Sequence, residues 1–286
     1  MNMIWNEQGF FEISPKPNSN ELKEYYNDNY TGKKLQNGRE YTTDEIYNKY
    51  LGCMEAEYIL NGAKGSFIDI GCGEGFYLDH FSKLGWSVLG ADFSKDGITK
   101  HFPSLTDKVI QGDVFETIDN LIKRGDKFDF ITLNHVLEHV IDPNALIKKI
   151  KLLASKKCVF KISVPNDFSL IQTYLKENNY IERDYWVCTP DHLNYFNTEG
   201  LVKFLIHNDF RIIDTLAEFP IELFLFNDHS NYQKLPETGR SAHYSRVHFE
   251  NMLAKDSIQK LISFRRGCAN SGIGRVVSAY CSLVHD

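Results

Sequence analysis

The run Phe67-Ile68-Asp69-Ile70-Gly71-Cys72-Gly73-Glu74-Gly75 constrains this chain more than any other stretch: an apolar segment ends in a glycine-rich turn, and an amphipathic segment follows at once. Glycines at a strand-to-helix turn let the backbone approach a ligand closely, because a Cβ there would collide with it. The spacing is G-x-G-x-G, not the G-x-G-x-x-G of dinucleotide sites, where the third glycine admits close helix packing around a pyrophosphate. A ligand without a pyrophosphate is therefore expected.

The surrounding region alternates short β-branched runs with helical stretches, the pattern of a parallel sheet covered by helices on both faces. Strands are expected at Ser66 to Ile70, Ser87 to Asp92, Lys108 to Gln111, Phe128 to Asn134 and Cys158 to Val164. Helices are expected near Phe76 to Leu84, Lys95 to His101, Ile118 to Arg124 and Pro143 to Leu153, the last with Asp142 as N-cap and Pro143 at its first position. Beyond Pro165, Thr198 to Asn208 reads as a helix, Phe210 to Leu216 as a strand and Gly274 to Val284 as a β-rich run. Tyrosines 25, 26, 30, 41, 47, 50 and 58 fall at partly helical spacing, so the first sixty residues are expected to cap the ligand edge of the sheet with helices. Four segments result: a cap over 1–60, a core over 61–216, an insertion over 217–273 that could serve as a substrate lid, and a final core strand over 274–286.

Three further strand ends carry polar residues. Asp92 closes the second strand roughly twenty residues after the first glycine, where a carboxylate can accept both hydroxyls of a ribose; it could equally cap the next helix. Asp113, followed by Val114, closes the third strand and can accept an adenine amine, and Asn134 closes the fourth. Together these stretches resemble the class I S-adenosylmethionine-dependent methyltransferases over Gly65 to Thr215. The resemblance implies an α/β, Rossmann-like fold with a seven-stranded, mostly parallel sheet and an antiparallel last strand. It also implies that Asp69, Gly71, Cys72, Gly73 and Gly75 surround the methionine half, Asp92 and Phe93 the ribose, Asp113 and Val114 the adenine, with Asn134 and Tyr30 completing the cofactor site.

Methyl transfer to a hydroxyl needs alignment, a dry site and a proton acceptor. Candidates follow the fourth strand in His135-Val136-Leu137-Glu138-His139-Val140-Ile141-Asp142-Pro143. This string also matches the zinc-peptidase pattern H-x-x-E-H, but that motif needs a continuous helix, and here a strand ends and a new helix begins within eight residues. A second cluster, Pro190-Asp191-His192-Leu193-Asn194-Tyr195-Phe196, follows the fifth strand and resembles a D-H-x-x-x-F stretch of many relatives, which makes His192 the leading general base. Glu138, His139 and a later histidine also resemble the ligands of magnesium-assisted ribose methyltransferases, but His135 stands where those have a glutamate. A hard cation is disfavoured by that exchange, and no metal is assigned.

Arg240, His243, Tyr244 and Arg246 in the insertion, with Tyr195, are expected to contact substrate, because guanidinium groups, those of Arg265, Arg266 and Arg275 included, could clamp a phosphate or carboxylate. The expected acceptor is an oxygen or nitrogen of a small molecule, such as a sugar, nucleotide-linked or other anionic intermediate of polysaccharide or secondary-metabolite biosynthesis. The absence of a cysteine-rich zinc module speaks against carbon methylation, and Asn134-His135-Val136-Leu137 is not the N-P-P-Y type of string found in base methyltransferases. A non-catalytic S-adenosylmethionine-binding protein is a second reading. A formal net charge of -6 gives no basic excess for long nucleic acids. No apolar run reaches the roughly 18 residues that span a bilayer, and the N-terminus lacks the basic-then-apolar order of a secretory signal. Six cysteines without a C-x-x-C pair suit a reduced, cytoplasmic protein. A dimer is compatible with all of this.

Overall fold

The computed structural model describes residues 2–18, 21, 22, 24, 25 and 40–284. It opens with β1 (Asn2–Asn6) and β2 (Phe10–Ser14), an antiparallel hairpin whose register pairs Asn6 with Phe10 and Asn2 with Ser14. The helical cap expected over residues 1–60 is thus corrected at its start. Phe10 and Ile13 are each 1% exposed and anchor the hairpin on the core, whereas α1 (Thr43–Leu60) is the helix that was expected. Its start follows from a capping box in which Thr42 and Glu45 satisfy each other's backbone N–H groups. Tyr26 and Tyr30 lie outside the described residues.

The core continues through β3 (Ser66–Ile70), α2 (Phe76–Lys83), β4 (Ser87–Asp92), α3 (Asp96–His101), β5 (Val109–Gln111), α4 (Val114–Arg124), β6 (Phe128–Asn134), α5 (Pro143–Lys151) and β7 (Ala154–Pro165). There follow α6 (Leu170–Glu177), β8 (Asn194–Tyr195), α7 (Thr198–His207), β9 (Phe210–Ala217), α8 (Gly239–Asp256), α9 (Ile258–Asn270) and β10 (Val276–Leu283). Seven strands form one sheet in the order β5-β4-β3-β6-β7-β10-β9, while β8 joins the hairpin in a small sheet ordered β1-β2-β8. Neighbours from β5 to β7 pair in parallel, and β10 runs antiparallel to both β7 and β9. The expected seven strands and antiparallel last strand are both present.

The central strands are apolar on both faces because helices cover both. Ile68, Ile70, Ile131, Leu133, Phe160 and Ile162 are fully buried, each such side chain contributing about 1.5–3 kcal/mol relative to exposure. Strand order reverses between β3 and β6, so the crevice for a ligand opens where β3, β4 and β6 end. Asn166, fully buried just past β7, holds this edge together: its amide donates to the Gly274 carbonyl at 2.9 Å and its Oδ1 accepts the Thr198 N–H at 2.9 Å. The insertion is helical, with 3-10 turns at Ile221–Phe226 and Pro236–Thr238 before α8 and α9. Among the described residues no helix is long and apolar enough to cross a membrane.

Candidate functional site

The glycine loop joins β3 to α2 at the mouth of the crevice. The Gly71 and Cys72 N–H groups both donate to the Ala91 carbonyl, at 2.8 and 3.2 Å, which fixes the loop to β4. Gly71 has φ 75° and lies so close to the next loop that a Cβ would sit 2.6 Å from Val136. Gly73, at φ 49°, has open space where its Cβ would be, so its backbone is bare toward the crevice. Its N–H donates to Asp92 Oδ2 at 2.7 Å, and Ser94 N–H donates to Asp92 Oδ1 at 3.0 Å. Burial raises the pKa of this carboxyl, while the backbone donors oppose the rise.

Beneath the loop, Asp69 is 2% exposed and accepts the Thr132 hydroxyl at 2.5 Å. Burial pushes its pKa up to about 7, with Asp92 adding to the shift and hydrogen bonds from Thr132 and Asn134 opposing it. Asn134 in turn accepts the Ser163 hydroxyl at 3.1 Å. At the far end of the crevice Asp113 is exposed and caps α4 through the Glu116 N–H at 3.0 Å, with Val114 following as the first helical residue.

Beside the glycine loop, β6 ends at Asn134, and the φ of 57° at His135 turns the chain sharply out of the sheet. None of residues 135–139 is helical, which removes the peptidase platform. Two loops are fastened here: the Glu138 carbonyl accepts both Leu193 N–H at 2.7 Å and Asn194 N–H at 3.2 Å, and the Asn194 amide donates to the Leu137 and Val140 carbonyls at 3.0 and 2.7 Å. Three side chains thereby converge. One ligand-capable atom each from Glu138, His139 and His192 lies within 4.8 Å of the others.

Electrostatics separates their roles. Burial raises the pKa of the Glu138 carboxyl, but His135, 3.0 Å away, and His139 outweigh it and hold Glu138 ionised. His139 Nδ1 donates to the Asp191 carbonyl at 2.8 Å, and although burial lowers its pKa, Asp191 and Glu138 bring a net rise. His192 goes the other way: burial, then the neighbouring His139, lowers its pKa, so it stays neutral near pH 7. Glu138 Oε2 and His192 Nδ1 are buried without a hydrogen-bond partner among the described residues.

Residues 45–215, more than half of the chain, match a family model described as a methyltransferase domain. The chain belongs to the methyltransferase-domain family. It is similar to a ubiquinone biosynthesis O-methyltransferase of Bartonella bacilliformis, 28% identical over 152 residues that cover 52% of this chain and 61% of that one. It is also similar to a mitochondrial ubiquinone biosynthesis O-methyltransferase of Candida albicans, 28% identical over 176 residues, or 57% of this chain and 53% of that one. The chain thus spans between one half and two thirds of the length of these curated relatives. A solved SAM dependent methyltransferase from Archaeoglobus fulgidus aligns over 91% of this chain and 98% of its own, with a TM-score of 0.50 and 17% identity, and so shares the fold.

The arginines of the expected anion clamp lie among carboxylates. Arg246 lies 3.9 Å from Glu218 and 4.0 Å from Glu250, Arg265 is buried between Glu55 and Glu250, and Arg266 pairs with Asp214 at 2.6 Å. Carboxylates thus stand beside each of these guanidinium groups. Arg240 stands 5.6 Å from the Tyr244 ring, and His243 meets Glu45 of α1 at 2.8 Å. Tyr195 is 1% exposed and donates its hydroxyl to the His192 carbonyl at 3.0 Å, so it braces the histidine's loop.

Sequence reasoning missed two groups. Glu74, inside the glycine loop, accepts the Tyr41 hydroxyl and the Lys49 ammonium at 2.8 Å each and lies 3.4 Å from His101. Its position between two glycines was the available signal. Asp167 and Glu222 meet Arg275, itself one of the arginines expected of the anion clamp, at the end of β7 from three distant parts of the chain, and only the placement of Asp167 past a strand end marked it beforehand.

Proposed function

We propose that this protein transfers the methyl group of S-adenosylmethionine to an oxygen, or secondarily a nitrogen, of a small molecule. The observation that carries the reading is the pairing of the bare Gly73 backbone with Asp92 at the crevice mouth. Each Asp92 oxygen keeps a lone pair beyond its backbone donor and can accept a ribose hydroxyl. Asp69 and the loop backbone take the methionine ammonium and carboxylate, while Cys72, Gly75 and Phe93 line the approach and Asp113 with Val114 borders the adenine.

Bound S-adenosylmethionine supplies an electrophilic methyl carbon. The chain's part is to align the acceptor, exclude water and move a proton. His192 accepts the hydroxyl proton, and the ionised Glu138 beside it stabilises the imidazolium that forms. His139, fixed by the Asp191 carbonyl, and His135, fixed by Glu138, hold that carboxylate in place. The curated relatives are named for O-methyl transfer, which supports oxygen over nitrogen.

The test is a screen of alcohols, phenols and amines with S-adenosylmethionine, reading release of S-adenosylhomocysteine. Turnover of at least one hydroxyl compound that collapses in His192→Ala is expected. Turnover of amines alone, unaffected by that substitution, would overturn the assignment.

A further inference from the structure

His135 is the first residue beyond β6, at the strand edge where ligands of an open α/β sheet sit. Its backbone is left-handed at φ 57°, a strained conformation for a histidine, and its own N–H anchors it by donating to the Ser163 carbonyl at 2.9 Å. The next residue lies against the glycine loop, since a Cβ on Gly71 would be 2.6 Å from Val136. The ring thus borders the part of the crevice proposed for the methionine half of the cofactor. Nδ1 is fixed 3.0 Å from Oε1 of Glu138, whose side chain is 1% exposed, whereas the His135 side chain is 47% exposed. Nε2, at the far tip of the ring, makes no hydrogen bond among the described residues.

One nitrogen on a buried carboxylate and the other at the open tip make this ring a donor. Its place inside the crevice lowers its pKa, but the hydrogen bond and charge of Glu138, with Glu218 beyond, bring a net rise. The cationic ring carries an N–H on both nitrogens, so Nε2 presents a charge-assisted donor that favours an ionised oxygen. The carboxylates around it do not shut an anion out, because each already faces a cation. Glu138 faces His135 itself, Glu218 lies 3.9 Å from Arg246, and Asp167, which also feels His135, lies 3.5 Å from Arg275. The other groups at this corner, His139 and His192, bring no negative charge. An ammonium, by contrast, would meet the cationic ring.

We infer that His135 selects the acceptor: its Nε2–H grips an oxyanion, a carboxylate or a phosphate, of the same small molecule whose hydroxyl is presented to His192. This rests on the methyl-transfer reading and names the class of acceptor, a hydroxyl compound that is also an acid. The two histidines divide the work across one carboxylate, for Glu138 is 3.0 Å from His135 and has a ligand-capable atom within 4.8 Å of one on His192. His192 takes a proton, whereas His135 keeps its own and orients the acceptor.

The experiment is a saturation-transfer NMR titration of protein saturated with S-adenosylhomocysteine, with lactate and mandelate as carboxylate probes, glycerol phosphate as the phosphate probe, and lactamide and mandelamide as neutral counterparts. At least one acid should bind about tenfold more tightly than the amides near pH 6, and that margin should shrink toward about pH 9 as the ring loses its proton. His135→Gln, which keeps an N–H without the charge, should cut the margin to about twofold at either pH and leave S-adenosylhomocysteine affinity unchanged. Lactate and mandelate ahead of glycerol phosphate would name a carboxylate as the group held, and the reverse order a phosphate. Acids that bind no better than the amides, a margin that ignores pH in the unsubstituted protein, or one that survives in His135→Gln overturns the assignment. So does a loss of S-adenosylhomocysteine affinity in His135→Gln, which would give the ring to the cofactor. Failure of the unsubstituted protein to bind S-adenosylhomocysteine would instead remove the methyl-transfer reading on which the inference rests.

Discussion

Gly73 and Asp92 hold each other in place: the loop amide donates to the strand-end carboxylate at 2.7 Å, so one contact shapes the glycine turn and aims the acid. Replacing Asp92 with alanine removes the charged acceptor proposed for the ribose and an anchor from the loop. Calorimetry should show S-adenosylhomocysteine binding weakened by about 1.5–3 kcal/mol. Wild-type affinity in the variant would place the ribose elsewhere.

Glu74 links the same loop to α1 through Tyr41 and Lys49. Its side chain is 30% exposed, so the pairs are screened and contribute little to global stability. Glu74→Gln is expected to weaken S-adenosylhomocysteine binding severalfold while the melting temperature stays within a degree or two. A fall in melting temperature without a change in affinity would make the contact purely structural.

Asp69 gives the site a pH dependence. With its pKa raised to about 7, mainly by burial, the carboxylate proposed to pair with the methionine ammonium is lost on acidification. Affinity for S-adenosylhomocysteine should fall roughly tenfold from pH 8 to pH 6, and Asp69→Asn should flatten the profile. Stability of the unliganded protein carries the opposite sign. Asp69 and Asp167, both pushed up to about 7, bind protons in the folded state that the unfolded chain releases near pH 4, so their contribution is full below that value and is lost as pH rises through about 7. Thermal melts from pH 5 to 8 should fall with pH, less steeply in Asp167→Asn.

His192→Ala should cut turnover by about a hundredfold or more, the scale of general acid-base contributions, and leave cofactor binding intact. Because burial and His139 lower the His192 pKa, the acid limb of the wild-type rate should lie below the ordinary imidazole range. Chelators should have no effect. Turnover abolished by EDTA and restored by magnesium or manganese would make Glu138, His139 and His192 ligands, and the base assignment wrong.

The insertion is pinned to the core by a buried ionic group. Arg265 donates to Glu55 at 2.8 Å and Glu250 at 2.9 Å, and Glu55 also receives Lys161 at 3.1 Å and the Tyr280 hydroxyl at 2.8 Å. Arg265→Met leaves two carboxylates undercompensated and should destabilise the protein by about 3–5 kcal/mol in denaturant melts. The exposed Arg240→Ala should stay within about 0.5 kcal/mol. Equal effects would mean that the buried group does not carry the insertion.

What was legible in the sequence was local. The turn from Asp69 to Gly75, Asp92 at its strand end and the Asp142-Pro143 helix start each declare themselves within a few residues, because backbone sterics and capping act over that range. The N-terminal hairpin escaped notice because its strands are five residues long and its turn is Glu7-Gln8-Gly9, not an Asn-Gly pair. The insertion helices were hidden because Glu250, Asn251 and Arg265 occupy buried positions and interrupt the apolar period. Partners such as Asp167, Glu222 and Arg275 are distant in sequence and become neighbours only when β10 inserts between β7 and β9.

The central claim, a crevice built for S-adenosylmethionine, is tested most directly by titrating the full chain with S-adenosylhomocysteine and, separately, with NAD in a calorimeter. The account predicts saturable binding of one S-adenosylhomocysteine per chain and no heat from NAD, since the G-x-G-x-G turn makes no provision for a pyrophosphate. Binding of NAD with none of S-adenosylhomocysteine would contradict it.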